Sequence, residues 1–313
     1  MIVILAKSGL QLLLLLLVAP LLTGIIRTMK ARLQTRRGPG ILQPYRDLFK
    51  LMHKGMVIPD TASWIFSAAP YMVFVTATLV GLMIPMVATD APLSLFGGVL
   101  AVIYLLALGR FFLALGGLDT GSSFGGLGSS REMTISAIAE PAMMLAIFTV
   151  ALSANSTNLS EMAKSAVSQS WRFLAPSQML AFSGLFIVLI AETGRIPVDN
   201  PATHLELTMI HEAMILEYSG PYLALIEWGA SIKQLVLTTL LVNTFFPFSL
   251  SPNWTVSGLG LGLFFYLLKL LLLACCIVLV ETTNAKMRLF RVPELLAVAF
   301  ILGALALIST FIF

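Results

Sequence analysis

Seven ionisable side chains interrupt otherwise apolar stretches of this sequence: Arg110, Glu140, Glu192, Glu227, Lys233, Lys269 and Glu281. At bilayer depth each costs about 2.5 to 3.5 kcal/mol even on the lenient insertion scale, so such groups are kept for function or for pairing with one another. Glu140 is followed by Pro141. A proline inside a helix frees a backbone carbonyl and can admit water beside the carboxylate, which suits a proton relay. Glu227 and Lys233 would lie about 120° apart around one helix, so their partners belong to other helices. Arg110 and Glu281 stand near the ends of apolar runs. They read as pairing residues that hold a bundle together and whose side chains can snorkel.

Two polar stretches carry further candidates. Beyond Pro197 and Pro201, residues 202–218 are expected to form a helix with His204, Thr208 and His211 on one stripe and Glu206 and Glu217 on another. Paired histidines can bind metal, but the His-Glu-x-x-His spacing is absent, since His211-Glu212 is followed by Ala213, Met214 and Ile215. Hydrogen-bonded interface histidines are the better reading. Earlier in the chain, Arg36-Arg37-Gly38-Pro39-Gly40 forces a turn. Gln43 to Met52 then begins an amphipathic helix with Pro44 in its first turn and Leu48, Leu51 and Met52 on its apolar face. A basic helix of this kind can lie on anionic headgroups, but the rigid turn ahead of it argues for a docking surface.

Other chemistries are excluded by what the sequence lacks. Cys275 and Cys276 are adjacent, and a cluster or structural zinc needs four spaced thiolates. The glycine-rich run from Gly116 to Ser130 has no Walker A pattern and no strand ahead of it; it reads as a flexible loop ending at a helix cap, with Ser130 ahead of Arg131 and Glu132. No residues are spaced to hold haem, flavin or a cluster, so a self-contained oxidoreductase is not expected.

These residues must be positioned by helices that live in lipid. The chain has 313 residues, 58% hydrophobic and 11% charged, and a soluble domain would carry about twice that charge. A net charge of +4 spread along the chain gives no nucleic-acid footprint. Apolar stretches of the length needed to span about 30 Å of hydrocarbon occur near 2–26, 70–88, 95–115, 133–152, 178–193, 221–246, 258–282 and 293–313. The expected fold is therefore all-α: a single polytopic membrane domain over 1–313, with about eight spans and an amphipathic helix after the first. The leucine run from Leu12 to Leu17 lacks a basic flank before it and a cleavage site after it, and reads as an uncleaved first helix. The Gly-xxx-Gly spacing around Gly258 and Gly262 suits helix packing. Lys and Arg concentrate in loops 27–69, 116–132, 194–220 and 283–292, which the positive-inside rule places in the cytoplasm, with both termini outside.

Several of these segments together resemble a known family. They are Arg37-Gly38-Pro39 through Gln43-Pro44 to Asp47, Lys50 and Leu51; Ala191-Glu192 with Arg195, Pro197 and Asp199; Glu217-Tyr218-Ser219-Gly220; and Ala285 to Pro293. They look like the eight-helix membrane heel subunit of respiratory complex I and its hydrogenase relatives, over nearly the whole chain. Complex I members carry further carboxylates after the residue matching Asp199, where this chain has Ala202 and His204 and keeps only Glu206. Together with His204 to Met209 and Gly117 to Gly121, this resembles the membrane-anchor subunit of group 4 nickel-iron hydrogenases, of the hydrogenase-4 and formate hydrogenlyase type.

The resemblance implies a non-catalytic subunit of a prokaryotic cytoplasmic membrane. It would anchor the hydrogenase large and small subunits and couple their redox reaction to proton or sodium translocation through antiporter-like subunits. The nickel-iron centre and iron-sulfur clusters would reside in those partners, and this chain would hold no cofactor. Arg36, Arg37, Asp47, Arg195 and Asp199 would form the docking seat. Glu140, Glu192, Glu206 and Glu217 match carboxylates of the family's polar path, and Glu227 joins them from its membrane depth alone. The alternative is a quinone-site subunit of a complex I-like dehydrogenase; a stand-alone transporter is disfavoured by the lack of an internal repeat.

Overall fold

The structure is a computed structural model that describes residues 2–168, 175–200, 209–248, 250 and 256–312. Its helices, in chain order, are α1 (Ile2–Leu33), α2 (Gln43–Met52), α3 (Trp64–Met83), α4 (Val99–Asp119), α5 (Ser123–Ala154), α6 (Leu159–Ser168), α7 (Pro176–Glu192), α8 (His211–Ile215), α9 (Gly220–Phe245), α10 (Val256–Thr283) and α11 (Val292–Ile312). Seven of these are long and apolar enough to cross a membrane. α7 is the shorter apolar helix at the expected fifth span, with 17 residues and a length of about 25 Å. The chain is a multi-pass, all-helical membrane protein; among the described residues the sole β pairing is the isolated Gly98–Asn158 bridge.

The helix ends differ from the sequence expectation for identifiable reasons. α3 starts at Trp64 rather than near residue 70 because Ser63 caps it through Ile65 N, and Asp119 Oδ2 accepts the Ser63 and Phe66 amides at 2.7 and 3.2 Å. α1 runs past the hydrocarbon to Leu33, carrying Lys30 and Arg32 in its last turn, where the helix dipole favours cations. The expected amphipathic helix is α2, with Pro44 as its buried residue and Phe49 exposed. In the Gly258–Gly262 run expected to pack, Gly262 is buried, while Gly260, on another side of α10, meets open space.

Two expectations are corrected. Residues 116–132 are not a flexible loop: α4 continues to Asp119, and α5 begins at Ser123, capped by Ser122 Oγ accepting from Gly125 N. The glycines there are helical and let backbones meet. A Cβ on Gly125 would stand about 2.1 Å from the Gly117 carbonyl, and one on Gly128 would collide with α8 at Ala213 and Ile210. The second correction concerns 202–218. His204, Glu206 and Thr208 lie outside the described residues, and beyond them the helix is confined to His211–Ile215 before the chain turns at Leu216.

Packing arranges the spans around the buried charges. α3 lies between α4 and α9, α11 packs on α5 and α7, and α1 covers α9 and α10. The main core draws Leu15, Ile26, Ile103, Met143, Ile147, Leu185 and Ile232 from several helices. A smaller cluster joins Phe66, Leu113, Met214, Tyr218 and Ile226 at one end of α3, α4 and α9.

Candidate functional site

The ionisable residues singled out in apolar sequence, Lys269 excepted, converge from five helices. Glu192, the last residue of α7, is the hub: its Oε1 lies 3.0 Å from Arg110 Nη1 of α4, and its Oε2 lies 2.8 Å from Lys233 Nζ of α9. Arg110 Nη1 also stands 3.4 Å from Glu140 Oε1 of α5. The Glu192 and Arg110 side chains are 3% and 4% exposed, whereas that of Glu140 is 29% exposed at the surface of the bundle. Lys233 thus finds its partner on another helix, as its azimuth required. Lys269 of α10 stands apart and donates to Asn243 Oδ1 at 3.1 Å and to the Phe246 carbonyl at 3.0 Å.

A second cluster lies beside the first. Glu281 of α10 binds Arg195 Nη1 at 2.7 Å and Lys30 Nζ of α1 at 2.8 Å. Arg195 Nη2 donates to Gln234 Oε1 of α9 at 2.8 Å, and Thr23 Oγ1 reaches the same oxygen at 3.4 Å. Arg110 and Glu281 are buried and paired; neither snorkels.

Both clusters, Glu140 excepted, line a cavity of about 510 Å³. Its walls also hold Arg27, Arg36, Arg37, Glu132, Asp199, His211, Glu212 and Glu227. Arg36 and Arg37 are exposed, and with Gly38 and Pro39 they mark where the cavity meets solvent. The turn is pinned to α1 by Thr28, whose hydroxyl donates to the Pro39 carbonyl at 2.9 Å. Fourteen of the lining residues are ionisable and none is Phe, Tyr or Trp. All three Arg110 side-chain nitrogens, Arg195 Nε and Gln234 Nε2 are buried without a hydrogen-bond acceptor among the described residues. Buried donors of that kind call for water, and the volume holds on the order of fifteen molecules.

The remaining candidates occupy other places. Asp199 is buried: its Oδ1 accepts from Lys286 Nζ at 2.8 Å and from the Asn200 amide, and its Oδ2 from the Ile210 and His211 amides. It therefore ties loop 194–200 to α8 and to the segment before α11, which is bound again by Met287 N donating to Pro197 O at 2.8 Å. Asp47 lies on α2, accepting from Gln43 Nε2 at 2.8 Å. Glu217 is exposed beyond α8 and does not line the cavity. The residues next to it are structural: Tyr218 stacks on Phe66 at 4.0 Å and donates to its carbonyl, and Ser219 Oγ exchanges hydrogen bonds with Val57.

Sequence reasoning passed over Lys30, Glu132, Glu212 and Gln234. Lys30 and Glu132 stood in polar segments where charge is ordinary, and Gln234 is uncharged. Glu212 was weighed only as part of a metal motif, yet it faces the cavity. Burial pushes its carboxyl above the ordinary carboxylate range, Glu227 and Asp199 add to the effect, and His211 and Arg27 oppose it. It retains a proton to higher pH than a solvated glutamate would.

A family model described as NADH dehydrogenase matches residues 7–312. The chain belongs to the NADH dehydrogenase family. Within that family it is 36% identical to formate hydrogenlyase subunit 4 of Escherichia coli strain K12, over 96% of both chains. It is 37% identical to hydrogenase-4 component C of the same organism, over 95% of this chain and 92% of that one. A NADH-quinone oxidoreductase subunit from Syntrophotalea carbinolica is 31% identical over 92% of this chain and 88% of its own. The family member also shares its fold with a chain of the membrane-bound sulfane sulfur reductase, an archaeal respiratory membrane complex. That match has a TM-score of 0.84 at 20% identity and covers 97% of this chain and 98% of the other. The resemblance seen in the sequence motifs is thus borne out, including its hydrogenase side.

Proposed function

We propose that this chain is the membrane subunit that anchors the hydrogenase arm of a group 4 nickel-iron hydrogenase and couples its redox reaction to proton or sodium translocation by antiporter-like subunits. The observation that carries the reading is the buried series of charges from cavity to bundle surface. It begins at exposed Arg36 and Arg37, passes the Glu281 and Glu192 clusters, and ends at part-exposed Glu140. A charge or proton change at the cavity is felt along this series because each member is an ion-pair partner of the next or faces it across a hydrated space. The relatives named as subunits of formate hydrogenlyase and hydrogenase-4 support the choice of arm.

On this reading the face bearing Arg36 and Arg37 is cytoplasmic, in a prokaryotic inner membrane, and the peripheral large and small subunits dock there. The nickel-iron centre and iron-sulfur clusters belong to those partners. Arg195 and Asp199 act from behind the docking face by fixing loop 194–200, while Arg36, Arg37 and Asp47 face the arm. The lack of aromatic side chains in the cavity lining, with fourteen ionisable residues there, supports this reading over a quinone site, where stacking on an apolar ring calls for aromatic partners.

Purification of the tagged chain in mild detergent, with nickel analysis and a test of hydrogen evolution from reduced viologen, decides between the two. Nickel with hydrogen evolution is expected; a nickel-free complex that reduces quinone overturns the reading. In the intact complex, Glu140→Gln is expected to keep hydrogen evolution and to lower ion translocation in proteoliposomes about tenfold or more. Unchanged translocation removes Glu140 from the path.

A further inference from the structure

Arg110 is the link between two of the carboxylates on which the reading above rests. Its Nη1 stands 3.0 Å from Glu192 of α7 and 3.4 Å from Glu140 of α5, while Lys233 of α9 holds the other Glu192 oxygen at 2.8 Å. Two cations and two anions make the group neutral, but the sharing is unequal. Glu192 has two cations in contact; Glu140 has part of one, at the longer distance. None of the three Arg110 side-chain nitrogens makes a hydrogen bond with the described residues, so its hold on the two carboxylates is one of charge and distance, and the side chain is 4% exposed. The guanidinium can therefore re-aim without breaking a hydrogen bond to the described residues, and a buried cation follows its nearest counter-ion. Other charges near this group are Glu132 of α5 and His211 of α8, and the same cavity is lined by Arg27 and Lys30 of α1, Arg195, Glu212 of α8, Glu227 of α9 and Glu281 of α10.

We propose that Arg110 is a two-position residue that transmits the proton occupancy of Glu192 to Glu140. With Glu192 ionised, the guanidinium leans towards it, as the distances show. When Glu192 takes a proton from cavity water, its hold on both cations falls. Lys233, 20% exposed and facing the cavity, is solvated there and keeps the surplus positive charge. Arg110 is 4% exposed; Glu140 is the other carboxylate within ion-pair distance of it, Glu132 standing farther off, and the guanidinium closes on Glu140. One proton moves from water to Glu192, the group passes from neutral to a charge of +1, and Glu140 senses the event without receiving that proton. Arg110 is thus a positioning residue on the path, and the inference rests on the coupling function proposed above.

Glu192→Gln imitates the protonated state. In the intact complex, a structure of this variant is expected to show the Nη1–Glu140 distance shortened from 3.4 Å to about 2.8 Å, the length of a charge-assisted bond. An unchanged or longer distance overturns the proposal. Infrared spectra of the glutamate-labelled complex give a second readout, with the Glu140 carboxylate band identified by its loss in Glu140→Gln. Glu192→Gln is expected to shift that band when residue 110 is Arg, to leave it in place with Arg110→Gln, and to shift it partly with Arg110→Lys. A shift that persists with Arg110→Gln overturns the proposal. Neither readout measures translocation, so a complex that assembles but moves no ion overturns the coupling function, while these two results decide Arg110.

Discussion

At the scale of single residues, the division between chemical and structural carboxylates follows from what each one touches. Glu192 and Glu140 meet side-chain cations and share one of them, Arg110. Asp199 meets three backbone amides and Lys286, contacts that fix a conformation. Asp199→Asn keeps the size but loses the charge that strengthens all four bonds. It is expected to cost about 1 to 3 kcal/mol, because buried amides and Lys286 are left poorly matched. The measurement is the thermal midpoint of the purified complex, which should fall by several degrees; an unchanged midpoint means that the loop is held by other contacts. Asp199 was legible from the sequence as a residue of consequence. Its inward direction was not, because sequence spacing carries no information on which long-range amides a loop carboxylate will accept.

At the scale of elements, helix starts and loop clips set where the site residues lie. Ser219 and Gly220 clip the start of α9 to the segment after α2, and Gly220 adopts φ +55 with the Gly55 and Lys54 carbonyls about 3 Å from where a Cβ would stand. Gly220→Ala combines left-handed strain of about 1 to 2 kcal/mol with that close contact. The clip should loosen, and limited proteolysis should then cut within residues 53–58 faster than in the parent chain. Equal cutting rates count against the clip. The spans themselves were legible because about 20 apolar residues are a strong signal. The helical run through Gly117, Gly125 and Gly128 was hidden, since glycine disfavours helix locally and only tight packing of α4, α5 and α8 explains its use there.

At the scale of the molecule, exposed Arg36 and Arg37 stand at the mouth of the cavity. Arg36 and Arg37 are solvent-facing, so on the proposed function their attraction to a docked arm would be screened over about 8 Å at physiological salt. Replacing both by Ala should lower the salt concentration at which the peripheral subunits wash off by about twofold or more, read by co-purification through a salt gradient. Retention identical to the parent complex means that the arm is held elsewhere. The path inward from that mouth is buried, and salt should affect docking far more than coupling.

By itself the sequence determined that the chain is a helical membrane protein, where its spans lie, and which intramembrane charges must find partners, because the cost of charge in lipid is local and large. The motifs also carried the family. The tertiary structure decided the pairing: that Glu192 joins Arg110, Lys233 and, through Arg110, Glu140, and that Glu281 joins Lys30 and Arg195. Those partners are separated by up to 251 positions in the chain. Which of several available cations a carboxylate meets depends on the rotation of each helix about its axis, and that rotation is set by the packing of α3 between α4 and α9 and of α11 on α5 and α7.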